Sequence, residues 1–544
     1  MSTLGCEDVL DEVRSAVEAL SSQPNVSRPD TKELRRTAEN FGTATVWGNY
    51  NFASTVKNRS AGLTVYVGGP EVSQPQLNLK QKEILEKVPE TVEAVHKYMK
   101  KAPFVCVERT MGDNDEFTPH CILFVSVHRK EMMRLAYMIN QTLFEPKDGR
   151  NPNLYLVYIP EWQEKDRQIL VFPEIGVTYV LGSDYYGEAK KGFLRMAMWY
   201  AKQIGMLGLH AGSKIVRVRD NGGKIRRYGM LIFGLTATGK TTHTCHNHGL
   251  IEDGEGIEIL QDDIVFLKKD GSALGTERGF YLKTEGLDPQ TQPIIYGAAT
   301  KPDAVFENVM IEYGGKANFD DEILTGNGRG IIQRSDLACS TESINLPPID
   351  GVDGLKILFI TRRNTIVPIV SKLTQEQAAA TFMLGESIES SGSDPARAGE
   401  PVHEVGANPF IIGDQAFEGN WFYDFLRNHS NVECYLLNTG GVGEINETIN
   451  GNRVIKRKAL RPEIPETATI IRGILKGNIE WENCSYSNSL VAAKVDGINM
   501  EKFDPARFYH DEQLNALAKK LKEERIEWLK RFVGLNPAII DSVK

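Results

Sequence analysis

The sequence predicts an α/β protein built as two mixed lobes, and three observations carry that expectation. Over residues 42–182, short β-branched and aromatic runs at 63–67, 121–127 and 154–159 alternate with charged helical segments. An apolar strand at 230–233 runs straight into a glycine-rich turn. At 544 residues the chain exceeds what one hydrophobic core supports. We therefore expect an N-terminal lobe over 1–225, a C-terminal lobe over 226–544, and a cleft between them.

Taken in order, Val9, Leu10, Val13, Val17 and Leu20 recur at helical spacing, so the chain opens with an amphipathic helix. After Gly187, the positions Phe193, Met196, Ala197, Tyr200 and Ile204 mark one face of a second helix, which leads to Leu209-His210. The basic, glycine-containing stretch 217–227 reads as a hairpin or linker, and the lobe boundary is placed there. A further strand is expected at 354–361, and 389–401 reads as a polar, flexible loop. Leu514, Leu517, Leu521, Trp528, Leu529 and Phe532 form an apolar stripe ending at Gly534, which predicts a C-terminal docking helix.

A formal net charge of −9 excludes nucleic acid or an anionic membrane as the main partner, while leaving room for a small anionic substrate in a locally basic cleft. The seven cysteines are scattered, odd in number and never in a Cys-x-x-Cys arrangement, which fits a reducing compartment. The acidic start lacks the basic and apolar regions of a signal peptide, and no apolar stretch reaches spanning length. A cytoplasmic protein is expected.

The glycine-rich turn reads Gly234-Leu235-Thr236-Ala237-Thr238-Gly239-Lys240-Thr241-Thr242, the form of a phosphate-binding P-loop. Its backbone N–H groups can turn onto phosphate oxygens, Lys240 can reach the β- and γ-phosphates, and the Thr241 hydroxyl can ligate Mg²⁺. A second short strand, at 256–261, ends in Asp262-Asp263, paired acids that would serve two different cations. His243-x-x-His246-x-His248 has no matching ligand pattern and is read as surface decoration.

The reaction is narrowed by Tyr185-Tyr186-Gly187-Glu188-Ala189-Lys190-Lys191-Gly192, followed by Met206-Leu-Gly-Leu-His210. With the P-loop and the Asp pair, these resemble in order and spacing the ATP-type phosphoenolpyruvate carboxykinase family. Asn58-Arg59-Ser60, Glu277 to Lys283, Phe306-Glu307-Asn308-Val309, Thr325-Gly-Asn327-Gly-Arg329, Val370 to Thr374 and Leu437-Asn438-Thr439-Gly440 resemble further family segments, so the likeness runs from about 58 to 460. The chain departs from the family pattern at Thr236-Ala237, at Ile264 after the Asp pair, at Tyr186, and at Gly326 and Gly328.

The resemblance implies decarboxylation of oxaloacetate and phosphorylation of the resulting enolate by ATP, a carboxy-lyase reaction of gluconeogenesis or its reverse. It implies Mn²⁺ on Lys191, His210 and Asp263, and Mg²⁺ on Thr241 with Asp262 in its outer coordination sphere. It further implies that Arg59, Tyr185, Lys190, Lys283 and Arg329 hold substrate, and that Glu307 and Arg453 lie by the nucleotide. Two other functions share part of this pattern: a P-loop kinase acting on another acceptor, which gives Arg59, Lys191 and His210 no role, and a catalytically silent nucleotide-binding homologue, which would have lost metal ligands or the Arg pair.

Overall fold

The computed structural model describes residues 3–544 apart from 75, 148, 236, 237, 322, 325, 390–399, 450, 451 and 485, and gives only the backbone for 3–6, 448, 449, 452 and 453. The architecture is mixed α/β. The opening helix spans Thr3–Leu20 and buries Val9, Val13, Val17 and Leu20 on one face, as its periodicity requires. It packs into a core with a seven-stranded sheet built from residues 26–181, in which His120–Ser126 and Asn153–Ile159 run parallel.

The second large sheet has eight strands and carries the P-loop. Its centre is parallel: Ile225–Gly234, Gly354–Thr361 and Val432–Asn438 lie side by side, buried on both faces and correspondingly rich in Ile, Leu and Phe. The P-loop strand also pairs antiparallel with Ala211–Arg219, from Arg219↔Ile225 to Ala211↔Phe233. The stretch 217–227 is thus a hairpin inside one sheet, and a division at 225/226 cuts it. Strand pairing crosses that division again where Tyr50–Phe52 joins Val305–Glu307 in a five-stranded sheet.

The C-terminal helix Asp511–Leu529 meets the core through the later part of its stripe, with Leu521, Trp528 and, just beyond the helix, Phe532 packed around Leu529, while Leu514 and Leu517 lie outside that cluster. The polar loop predicted at 389–401 falls mostly outside the described residues; its flanks, Glu386–Ile388 and Pro401–His403, pair as a short hairpin. No described helix is long and apolar enough to cross a membrane. The described cysteines Cys106, Cys121, Cys245, Cys339, Cys434 and Cys484 are all free.

Candidate active site

The P-loop forms where strand chemistry ends. Gly234 closes the strand with no room for a side chain, since a Cβ there would lie 2.3 Å from Thr238 Oγ1. Gly239 takes φ +105°, a conformation that costs glycine little, and so turns the chain into the helix Lys240–Cys245. Thr238 donates to the Leu235 carbonyl at 2.8 Å and receives Thr439 Oγ1 on its own carbonyl at 2.8 Å, which ties the loop to the neighbouring strand end.

Backbone register brings the histidine to the acids. Leu209 pairs with Val265, and Ser213 pairs with Gln261, so the chain between those points sets His210 against Asp263. His210 Nδ1 lies 2.5 Å from the Ala407 carbonyl, which only accepts, so Nδ1 carries the proton. Burial, then Lys240, pushes the imidazole down to about 4. Its Nε2 is therefore a lone pair, and it faces Asp263 Oδ1 at 2.9 Å.

Four basic groups converge on that one carboxylate. Lys190 and Lys191 meet Oδ2, Lys191 at 2.5 Å, while Lys240 meets Oδ1 at 3.1 Å. Burial opposes the charge of Asp263, yet the ammoniums of Lys190, Lys191 and Lys240 hold it well below the usual carboxylate range. Burial, offset in part by Asp263, pushes Lys191 down to about 7, where an amine is available as a ligand. Two lone-pair donors facing each other at hydrogen-bond distance, with a neutralisable amine beside them, form a donor set that fits a divalent cation. On the other side Asp262 accepts from Thr241 Oγ1 at 3.0 Å and keeps Oδ1 buried without a partner, which suits a second cation.

The substrate end is built around Tyr185. Asn327 Nδ2 and Arg329 Nε both donate to its oxygen at 3.3 Å, and the Tyr281 hydroxyl lies 3.2 Å from the same oxygen, so the phenol is held at the cavity edge. Gly187 makes this possible, because a Cβ there would sit 2.4 Å from the Tyr185 ring. The Arg59 guanidinium lies over the Phe410 ring at 4.6 Å, with Lys191 over the same ring at 4.7 Å.

Arg59, Tyr185, Lys191, His210, Leu235, Thr238, Gly239, Lys240, Thr241, Thr242, Asp262, Asp263, Lys283 and Arg329 all border one cavity of about 570 Å³. Among the described residues, three expected ones, Gly234, Lys190 and Glu307, do not border it. Lys190 is buried between Asp263 and Glu277, the latter 3.0 Å away, and so orients a carboxylate. Glu307 is fully buried, pairs with Arg134 at 2.9 Å and accepts the Tyr186 N–H at 3.1 Å, so it braces the wall. Thr236, Ala237 and the side chain of Arg453 lie outside the described residues. Arg362, Arg461 and Thr467 line the cavity instead and were missed; the Thr467 position, opening the helix Ile464–Lys476, was the available signal.

Two of the departures from the family pattern, Tyr186 and Ile264, are turned into the protein interior. Tyr186 is wholly buried and bonds Thr142, and Ile264 is core. The His243, His246 and His248 run is not surface decoration: His243 and His248 are buried around Lys214, because that amine needs acceptors. Among the described residues Glu386, His403 and Glu524 also converge, but Arg525 and Arg363 already meet their charge.

A family model described as phosphoenolpyruvate carboxykinase matches residues 24–501. The ATP-type phosphoenolpyruvate carboxykinase of Aeropyrum pernix is 32% identical over 443 residues, covering 81% of this chain and 83% of its own. That of Rhodopseudomonas palustris is 29% identical over 356 residues, covering 63% of this chain and 60% of its own. With the P-loop, the lysine–histidine–aspartate cluster and the arginine–tyrosine end on one cavity, these matches give one conclusion: this chain belongs to the ATP-type phosphoenolpyruvate carboxykinase family.

Proposed function

We propose that this chain converts oxaloacetate and ATP to phosphoenolpyruvate, carbon dioxide and ADP, and that the cavity residues divide the work as follows. The observation that carries this reading is Asp263, whose single carboxylate joins Lys191 and His210 on the substrate side to Lys240 on the phosphate side.

Arg59 and the Tyr185 O–H hold the carboxylate that stays in the product. Lys191, His210 and Asp263 would hold Mn²⁺, and Thr241 with Asp262 would hold Mg²⁺ beside the phosphates. Bound divalent cations supply Lewis-acid stabilisation where negative charge develops, at the oxygen freed by decarboxylation and on the phosphoryl group. Lys240 and Arg329 both border the cavity and neutralise the transferring γ-phosphoryl. Arg461, Arg362 and Thr467 border the nucleotide end, and Lys283 the leaving carboxyl. Arg59, Lys191 and His210 come from the segment before 225, Lys240, Asp263 and Arg329 from after it; closure of these parts would exclude water that otherwise protonates the enolate to pyruvate.

The test is a coupled assay of the purified protein with oxaloacetate, across nucleotides and with Mn²⁺ against Mg²⁺. Phosphoenolpyruvate formation with ATP, and a reverse reaction that requires carbon dioxide or bicarbonate, supports the reading. Phosphoryl transfer indifferent to carbon dioxide would replace it with a kinase acting on another acceptor.

A further inference from the structure

Lys214, on the strand Ala211–Arg219, is fully buried. Its Nζ donates to the carbonyls of His243 at 2.6 Å and His246 at 3.0 Å, and lies 2.6 Å from His248 Nε2. Those three acceptors match the three N–H bonds of an ammonium. The socket is itself fixed: His248 adopts φ +55° and donates its backbone N–H to His246 Nδ1 at 2.8 Å, and its ring stacks on His243 at 6.1 Å.

No carboxylate among the described residues pairs with this amine; the ionisable groups around it are His243 and Cys245 on the helix, His246 and His248 after it, and Cys339 opposite. A buried cation without a counter-charge is costly, and burial pushes Lys214 down to about 7. Its acceptors His243 and His246 stand at the carbonyl end of the helix Lys240–Cys245, whose amide end carries Lys240 and Thr241. The helix has six residues, so its two ends lie about 9 Å apart at ~1.5 Å per residue.

We propose that Lys214 is a phosphate-binding determinant: a buried cation that holds the carbonyl end of the P-loop helix and takes its counter-charge from polyphosphate bound at the amide end. The inference rests on the P-loop reading above. It acts through the helix and the electrostatic field, so Lys214 is a positioning residue and touches no phosphate.

Calorimetry with pyrophosphate, ADP and ATP on the full chain provides the test. Lys214→Met is expected to weaken all three by about tenfold, the size of one unit charge acting across this distance at an intermediate dielectric, while KM for oxaloacetate stays unchanged. In the wild-type protein, a ¹⁵N-detected titration of the Lys214 amine is expected to move upward in pH when pyrophosphate saturates, a response that a purely structural lysine does not give. A folded Lys214→Met protein that binds pyrophosphate as tightly as wild type overturns the proposal. If that variant does not fold, a Lys214 titration unmoved by pyrophosphate overturns it equally. Lys240→Ala separates the two readings: weakened pyrophosphate binding there, with none in Lys214→Met, removes only this inference, whereas unchanged binding in Lys240→Ala removes the P-loop reading itself.

Discussion

His210 turns its unprotonated Nε2 toward Asp263 Oδ1 across 2.9 Å, with Nδ1 committed to the Ala407 carbonyl. Two acceptors at that distance repel unless a cation lies with them. His210→Gln is therefore expected to impair Mn²⁺ use together with decarboxylation and phosphoryl transfer, while calorimetric ATP affinity survives. Wild-type turnover and Mn²⁺ dependence in that variant would remove the metal site.

The same cluster sets a pH dependence. Lys191 ligates only as a neutral amine, and its ammonium is pushed down to about 7 by burial. Above that pH the amine is free; below it protons compete, so Mn²⁺ affinity should fall about tenfold per pH unit. His210, pushed down to about 4, adds no second slope until the solution is far more acidic. Mn²⁺ titrations from pH 5.5 to 8.5 test this, and a flat profile would mean that Lys191 is not a ligand.

Lys240→Ala and Thr241→Ala should each lower kcat by about 10²-fold or more, since each removes a preorganised contact to phosphate or its cation. Both side chains border the open cavity, so thermal unfolding should move little. Steady-state kinetics beside a melting curve separates the two effects.

Arg461 borders the cavity, at the end proposed to take the nucleotide. Arg461→Ala should raise KM for ATP and leave KM for oxaloacetate in place. A change confined to oxaloacetate would reverse the orientation assigned to the two substrates.

Arg134 and Glu307 form a pair with almost no exposure behind the substrate end. Arg134→Met strands a buried carboxylate and should cost about 3–5 kcal/mol of stability. Adding Glu307→Gln should restore part of it, measured by denaturant unfolding of the single and double variants.

Residues whose chemistry depends on local spacing were legible in the sequence. Gly239 and Lys240, the strand-terminal Asp262-Asp263 and the two ends of the Lys191 to His210 interval all appear on the cavity. Orientation was harder to read. Lys190 and Lys191 are neighbours on a helix buried nearly all round, so no polar face tells which one meets the cavity. Glu307 sits in a matching motif, but its partner Arg134 is 173 residues away in the chain, beyond any local pattern. His243, His246 and His248 read as surface because their reason for burial, Lys214, lies on another strand.

The hairpin that crosses residue 225 acts as a ruler. Its register fixes Ala211 opposite Phe233, so His210 and Gly234, each one residue beyond that pair, are spaced by the backbone ladder rather than by side-chain packing. The ladder's other end, the turn at Asp220 to Lys224, is closed by Asp220, which accepts the Lys224 N–H at 2.9 Å and pairs with Arg226 at 2.7 Å.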